Sequence, residues 1–155
     1  MAIKLELVAP FVTAAAEVLH AETGTDVSRG QLRLDTGGIR VNGVAAMISL
    51  LGQVEGLVMF SMASDTCRAL ISRMVGEEFE ELNELVQSGI AELSNVVAGR
   101  AATKLSNAGM FTDISVPSLI IGRDVTISVL RLTRLVVPLD TEMGIIELHL
   151  AVREK

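Results

Sequence analysis

Residues 44–62 read VAAMISLLGQVEGLVMFSM, which is two apolar runs, residues 44–51 and residues 54–62, separated by Gly52 and Gln53. Short apolar runs bounded by turn residues are typical of buried strands. A glycine-containing pair between two such runs favours a two-residue hairpin turn. This stretch therefore predicts an antiparallel β-hairpin.

The sequence on either side of the hairpin predicts three helices and further strands. Pro10 suits a helix start, because the N–H that proline lacks would be unpaired there, and Gly24 suits the end of that helix. Ser64 or Asp65 can cap a second helix, which Gly76 ends. The predicted helices occupy residues 11–21, the segment between Asp65 and Gly76, and residues 82–106, and the further strands occupy residues 31–34, 114–121, 125–132, 135–139 and 145–152.

The order of these elements is helix, strands, two helices, strands. Segregated runs of this kind indicate an α+β fold, in which an antiparallel sheet has helices packed on one face. No Pro-, Gly- or Ser-rich linker divides the 155 residues, so we expect a single domain over residues 1–155. Each half of the chain is a helix followed by strands, which leaves an internal duplication open.

The composition argues against several classes of function. With a net charge of −6 and no Trp or Tyr, the chain lacks the basic stripe and stacking surface of nucleic-acid-binding proteins, so we expect no nucleic-acid partner. The single cysteine, Cys67, leaves no disulfide framework and suits a reducing cytoplasm. The longest uncharged stretch, residues 41–54, is too short to cross a bilayer, so we expect no membrane segment.

The candidate site lies on the long helix predicted at residues 82–106. At about 100° per residue, Ser88, Glu92, Asn95 and Gly99 fall within a sector of roughly 60°. The far side of this helix is apolar and holds Ile90, Leu93, Val97 and Ala101. The helix is therefore expected to bury one side and to present a narrow stripe with one carboxylate and one carboxamide.

Two interpretations of this stripe are open from composition and spacing. A Glu-x-x-Asn pair on a helix is usually only solvated. Gly89 and Gly99, however, each cost about 1 kcal/mol relative to Ala inside a helix. That cost indicates a reason in packing or in docking, and either would account for a glycine.

The wider pattern resembles a known family. Ser88-x-x-x-Glu92-x-x-Asn95, followed about twenty residues later by Pro117, is similar to the signature of the CheC/CheX/FliY family of chemotaxis phosphatases. Residues 99–105, 113–117 and 122–124 also resemble that family, and its CheX branch in particular. The resemblance implies a CheC-like fold, phosphatase activity and a homodimer.

Relatives of the CheC and FliY type carry the signature twice, on two related helices. The first helix of this chain has Glu17-x-x-His20, which lacks the Asn. The resemblance therefore implies one site per chain, as in CheX.

The resemblance implies that the substrate is a phosphorylated receiver domain of the CheY type, whose own aspartate bears the phosphoryl group. Such a receiver brings its own Mg²⁺, so this chain would need no cofactor or metal of its own. Our hypothesis is that Asn95 orients the attacking water and that Glu92 docks the receiver by pairing with a lysine. Ser88 and Gly99 would lie on the docking face. The alternative is a non-catalytic adaptor that binds receiver domains or flagellar-switch components.

Other reactive side chains have ordinary explanations. His20 lies near the end of the first helix, where a cation interacts favourably with the helix dipole. His149 alternates with leucines in a strand and is expected to face solvent or a neighbour. Neither histidine has partners at metal-ligand spacing, so we expect no metal site. Cys67 lacks an obvious activating base, which favours a buried thiol over a nucleophile, and Pro117 is expected to shape a strand end.

Overall fold

The computed structural model describes residues 3–128 and 133–155. The helices in these ranges are α1 (Leu5–Thr23), α2 (Ser64–Val75) and α3 (Glu84–Asn107). The strands are β1 (Ser28–Arg29), β2 (Arg33–Asp35), β3 (Ile39–Gly52), β4 (Val54–Met62), β5 (Thr112–Ile114), β6 (Ser118–Ile127), β7 (Arg134–Thr141) and β8 (Gly144–Glu154). None of these helices is long and apolar enough to span a membrane.

The strands form one antiparallel sheet, whose path runs β1–β7–β8–β4–β3–β5. Each edge of this sheet consists of two strands. At one edge β1 and β2 both pair with β7, and at the other edge β5 and β6 both pair with β3. The predicted hairpin is confirmed as β3–β4, and β4 pairs with β8 at the centre. The α+β prediction of an antiparallel sheet with helices is therefore confirmed.

The sheet repeats one topology twice. The first repeat consists of α1, the interrupted edge β1–β2 and the hairpin β3–β4, with α2 following, and the second consists of α3, β5–β6 and β7–β8. The edge of each repeat pairs with the hairpin of the other. Gly30 and Ser115 occupy equivalent places where an edge is interrupted, since their N–H groups donate to Pro138 O at 2.8 Å and Ser49 O at 2.9 Å. The internal duplication that the sequence left open is present in the topology.

The main core lies between the helices and one face of the sheet. Residues of the central strands alternate between the two faces, and the set that faces the helices is buried, as for Val58 and Phe60 of β4 and Leu148 and Leu150 of β8. Burying each such side chain stabilises the fold by roughly 1.5–3 kcal/mol. The opposite face holds a smaller apolar cluster of Ile39, Val41, Ala45 and Met59.

The first helix begins earlier than predicted. It starts at Leu5, so Pro10 lies inside the helix and not at its start. A proline inside a helix removes one backbone hydrogen bond and crowds the preceding turn. Leu7 and Val8 are buried against the core, and the free energy gained by burying them outweighs that penalty. The helix ends before Gly24, which is left-handed at φ 72°, as predicted.

The strands differ from the prediction at two breaks. The strands predicted at residues 114–121 and 125–132 are largely one strand, β6, which passes residues 123–124 through a β-bulge opposite Asn42. The end of the second predicted strand lies outside the described residues. Only Gln53 separates β3 from β4, but their pairing stops at Leu50 with Gly56, so residues 51–55 form the connection. On its other side β3 stays paired as far as Gly52, which faces Thr112 of β5.

Candidate functional site

Hydrogen bonds define both ends of α3, and its packing on the core decides which of its sides is buried. The side chain of Asn83 caps the start, accepting the N–H of Val86 at 3.0 Å. At the other end the N–H of Met110 donates to Leu105 O at 2.8 Å, which turns the chain back toward β5. The buried side of the helix holds Val86, Ile90, Leu93, Ser94, Val97, Ala98, Ala101 and Leu105.

The structure brings the predicted site residues together on the outer side of α3. Ser88, Glu92 and Asn95 are exposed, whereas Leu93 and Ser94, which lie between the last two, are buried. The carboxylate and the carboxamide are one turn apart, a rise of about 4.5 Å along the helix axis. None of the ion pairs in the described ranges involves Glu92. The face therefore offers an anionic group and a neutral amide to a partner.

The two glycines of α3 have different surroundings. A Cβ on Gly89 would lie 3.0 Å from Cδ1 and from Cγ2 of Ile71, a buried residue of α2. A Cβ on Gly99 would meet nothing nearer than Ile114 Cδ1 at 3.9 Å, which is ordinary van der Waals contact. Packing therefore explains Gly89, whereas the chain's own packing does not require a glycine at position 99.

α1 does not carry a second copy of the Glu/Asn pair. Glu17 Oε1 lies 3.0 Å from Lys104 Nζ and 4.0 Å from Arg100 Nη1, so it ties α1 to α3. His20 Nδ1 lies 3.2 Å from Thr25 O, beyond the end of the helix. The sequence of α1 contains no Asn, so no alignment of the two helices places a carboxamide on it.

A chain of polar contacts on the opposite face of the sheet was not predicted from the sequence. Arg134 is 4% exposed and donates from Nε to His149 Nδ1 at 3.2 Å and from Nη2 to Asp35 Oδ2 at 3.0 Å. The Nε2–H of His149 donates to Glu147 at 3.2 Å, and Arg33 Nη1 donates to the same carboxylate at 3.1 Å. The bonds from His149 first, and from Arg33 next, lower the pKa of Glu147 to about 2. His149 thus faces neighbours and not solvent, and the contacts link β2, β7 and β8.

Within the described residues, neither Cys67 nor any cluster of metal-binding side chains offers a further reactive centre. Cys67 is buried, as predicted, and burial raises its pKa to about 12. Across residues 3–128 and 133–155, no group of three or more His, Cys, Asp or Glu side chains is arranged to hold a metal ion.

Comparison with known proteins connects this site to a family. Residues 44–140 match the family model described as chemotaxis phosphatase CheX. The CheY-P phosphatase CheX of Thermotoga maritima is 38% identical over 85 residues, which cover 54% of this chain and 55% of that protein. The match thus spans about half the length of this curated relative.

Solved structures share the fold over nearly all of the chain. A CheC-like superfamily protein from Shewanella sp. PV-4 has a TM-score of 0.89 at 22% identity, covering 97% of this chain and 99% of that one. A chain from the CheX–CheY–BeF3–Mg²⁺ complex of Borrelia burgdorferi has a TM-score of 0.84 at 28% identity, covering 97% and 100%. The family match extends over more than half of the chain and includes all of α3. This protein therefore belongs to the CheX family of chemotaxis phosphatases.

Proposed function

We propose that this chain removes the phosphoryl group from the aspartyl-phosphate of a CheY-type receiver domain, with Asn95 orienting the attacking water and Glu92 docking the receiver. The observation that carries the proposal is the exposed Glu92 and Asn95 pair, one turn apart on a single face of α3. Membership of the CheX family supports it, as do the name of the Thermotoga relative and the CheY partner in the Borrelia complex.

The reaction requires the protein to position the attacking water and to stabilise the charge on the phosphoryl group. Water attacks phosphorus opposite the aspartyl oxygen, the bond from phosphorus to that oxygen breaks, and the products are a free carboxylate and inorganic phosphate. A carboxamide suits this task because its oxygen accepts a hydrogen of the water and its NH₂ donates to a phosphoryl oxygen. Asn95 is also uncharged, so it approaches the anionic group without the repulsion that a carboxylate would meet.

Glu92 has a different task in this mechanism. Its carboxylate pairs with a cationic side chain of the receiver, and because it lies one turn before Asn95 this contact sets the register of docking. The receiver supplies the Mg²⁺ that neutralises its own phosphoryl oxygens, as the composition of the Borrelia complex suggests. Ser88 and Gly99 extend the docking face on either side of the pair.

A phosphate-release assay tests the assignment of roles. The receiver of the source organism is charged with acetyl phosphate and Mg²⁺ and mixed with the purified chain. Asn95→Ala should lower kcat by about 10²-fold or more while binding is retained, because it removes the group that positions the water. Glu92→Gln should weaken both binding and rate.

Two exposed residues provide matched controls. Asn107→Ala removes an exposed amide at the far end of the same helix, and Glu22→Gln removes an exposed carboxylate of α1. Both variants should behave as the wild type. An Asn95→Ala variant with the wild-type rate would contradict the mechanism, and a non-catalytic adaptor would bind the receiver without accelerating its spontaneous decay.

We also infer a cytoplasmic homodimer. The sheet has two edges, and one of them can pair with the same edge of another copy about a two-fold axis. A single buried cysteine suits the reducing compartment in which receivers act. Light scattering on the eluting protein should give twice the mass of the 155-residue chain.

A further inference from the structure

The edge strand beside α3 is interrupted, and the interruption exposes an apolar residue. β5 ends at Ile114 and β6 begins at Ser118. Between them, Ser115 stays tied to β3, since its N–H donates to Ser49 O at 2.9 Å and its Oγ accepts the Ser49 N–H at 2.8 Å. Val116 leaves the ladder and is 83% exposed, more than any other large apolar side chain of the described residues.

The path of the chain leads from the side of Gly99 toward Val116. Ile114 Cδ1 is the atom nearest to a Cβ built on Gly99, so β5 runs alongside α3 at that point. Because the chain reverses after α3, each step along β5 leads back toward the start of the helix. The segment after Ile114, which holds Val116, therefore continues toward the turn of α3 that holds Asn95.

Asn95 also lies on the side of the stripe that is nearer to this edge. Arg100 points toward α1, with which it forms an ion pair. Relative to Gly99, Asn95 is rotated about 40° away from Arg100, and Glu92 about 20° toward it. The interrupted edge therefore borders the amide more closely than the carboxylate.

The equivalent interruption in the first repeat carries a polar residue. Gly30 is the counterpart of Ser115 in its backbone hydrogen bond, so Gln31 stands where the second repeat has Val116. The helix of the first repeat contains no Asn. At the interruption itself, the exposed position holds an apolar residue in the repeat that carries the Glu/Asn pair and a polar residue in the other.

Building on the proposed function, we propose that Val116 contacts the receiver domain, packing on its surface beside the phosphorylated aspartate and helping to hold it against Asn95. The occupant is the receiver because Val116 is continuous with the face that docks it. Val116 has no polar atom in its side chain, so it contributes to binding and takes no part in hydrolysis. It is a determinant of affinity for the partner.

The test separates binding from chemistry. Val116→Ser should raise KM for the phosphorylated receiver, and the Kd for the receiver loaded with beryllofluoride and Mg²⁺, by about fivefold, with kcat within about twofold of wild type. Val116→Ile keeps the apolar surface, so its KM and Kd should equal those of the wild type. Leu34→Ser removes another exposed apolar side chain, 65% exposed on the opposite edge of the sheet, and should change neither.

The outcomes distinguish this contact from the function on which it rests. A wild-type chain that is active, with Val116→Ser unchanged in KM and Kd, would refute the contact and leave the proposed function intact. A wild-type chain that binds without hydrolysis would refute the catalytic role, and the Kd of Val116→Ser would still decide the contact. A wild-type chain that neither binds nor hydrolyses would overturn both.

Discussion

Alanine at the two glycines of α3 should affect stability differently, because only one of them is packed against a neighbour. At Gly99 the new Cβ finds its nearest atom at 3.9 Å, so nothing has to move. The helix should then gain the full difference in propensity, about 1 kcal/mol. For a chain of this size that gain corresponds to a rise in Tm of about 2–4 °C.

At Gly89 the same gain is opposed by a clash. The new Cβ would lie 3.0 Å from Cδ1 and Cγ2 of Ile71 and 3.3 Å from its Cγ1, and this side chain is fully buried. Overpacking of this kind costs typically about 1–3 kcal/mol. Gly89→Ala should therefore be less stable than Gly99→Ala by about 1–3 kcal/mol, and adding Ile71→Val should recover part of the difference by removing Cδ1.

Urea unfolding followed by circular dichroism measures these differences as the free energy of unfolding of each variant. Equal stabilisation by both substitutions would refute the argument that α2 packs tightly on Gly89. Destabilisation by Gly99→Ala would show that a neighbour occupies the space beside that residue.

The Gly99→Ala variant also tests the docking face. If the receiver covers Gly99, Gly99→Ala should raise KM a few-fold although the protein itself is more stable. A stability gain with an unchanged KM would remove Gly99 from the docking face.

Three further predictions concern groups away from the site. The pKa of Glu147 is about 2 in the folded chain against an ordinary 4.5, so its bonds stabilise the fold above pH 4.5 and that contribution is lost as the pH falls toward 2. Glu147→Gln should accordingly lower the free energy of unfolding by about 1–2 kcal/mol at pH 7 and by progressively less in acid, in urea titrations at several pH values; a constant difference would contradict this. Cys67, buried and with its pKa raised to about 12, should react with a thiol reagent only as fast as the chain unfolds, and a rate typical of a free thiol would contradict its burial. Arg134→Ala should lower the free energy of unfolding by about 3 kcal/mol, because it leaves the buried His149 without its hydrogen-bond donor. Arg33→Ala should lower it by less than about 1 kcal/mol, because Arg33 is half-exposed. Similar losses for the two variants would argue against the buried network.

The features that local sequence determines, namely the secondary-structure elements and their buried sides, could be predicted. The hairpin within residues 44–62 and the long helix α3 are confirmed, because the spacing of apolar residues along one element determines which of its sides is buried. The exposure of Glu92 and Asn95 follows from the same periodicity. The predicted helix start at Pro10 was wrong, because burial against the core extends α1 past the proline. The predicted strand break at residues 122–124 was wrong, because pairing with β3 keeps β6 continuous there.

The sequence by itself determined the stripe on α3, the family resemblance and the helix-and-strand order. The tertiary structure alone decided what lies beside that stripe. Ile71 packs against Gly89, the space beside Gly99 is open, and β5, which leads to the break at Val116, runs beside Gly99. Each of these contacts joins different elements: the packing of α2 on α3 sets the first, and the pairing of β5 with β3 sets the position of β5. Periodicity describes one element at a time, so it holds no information about that pairing.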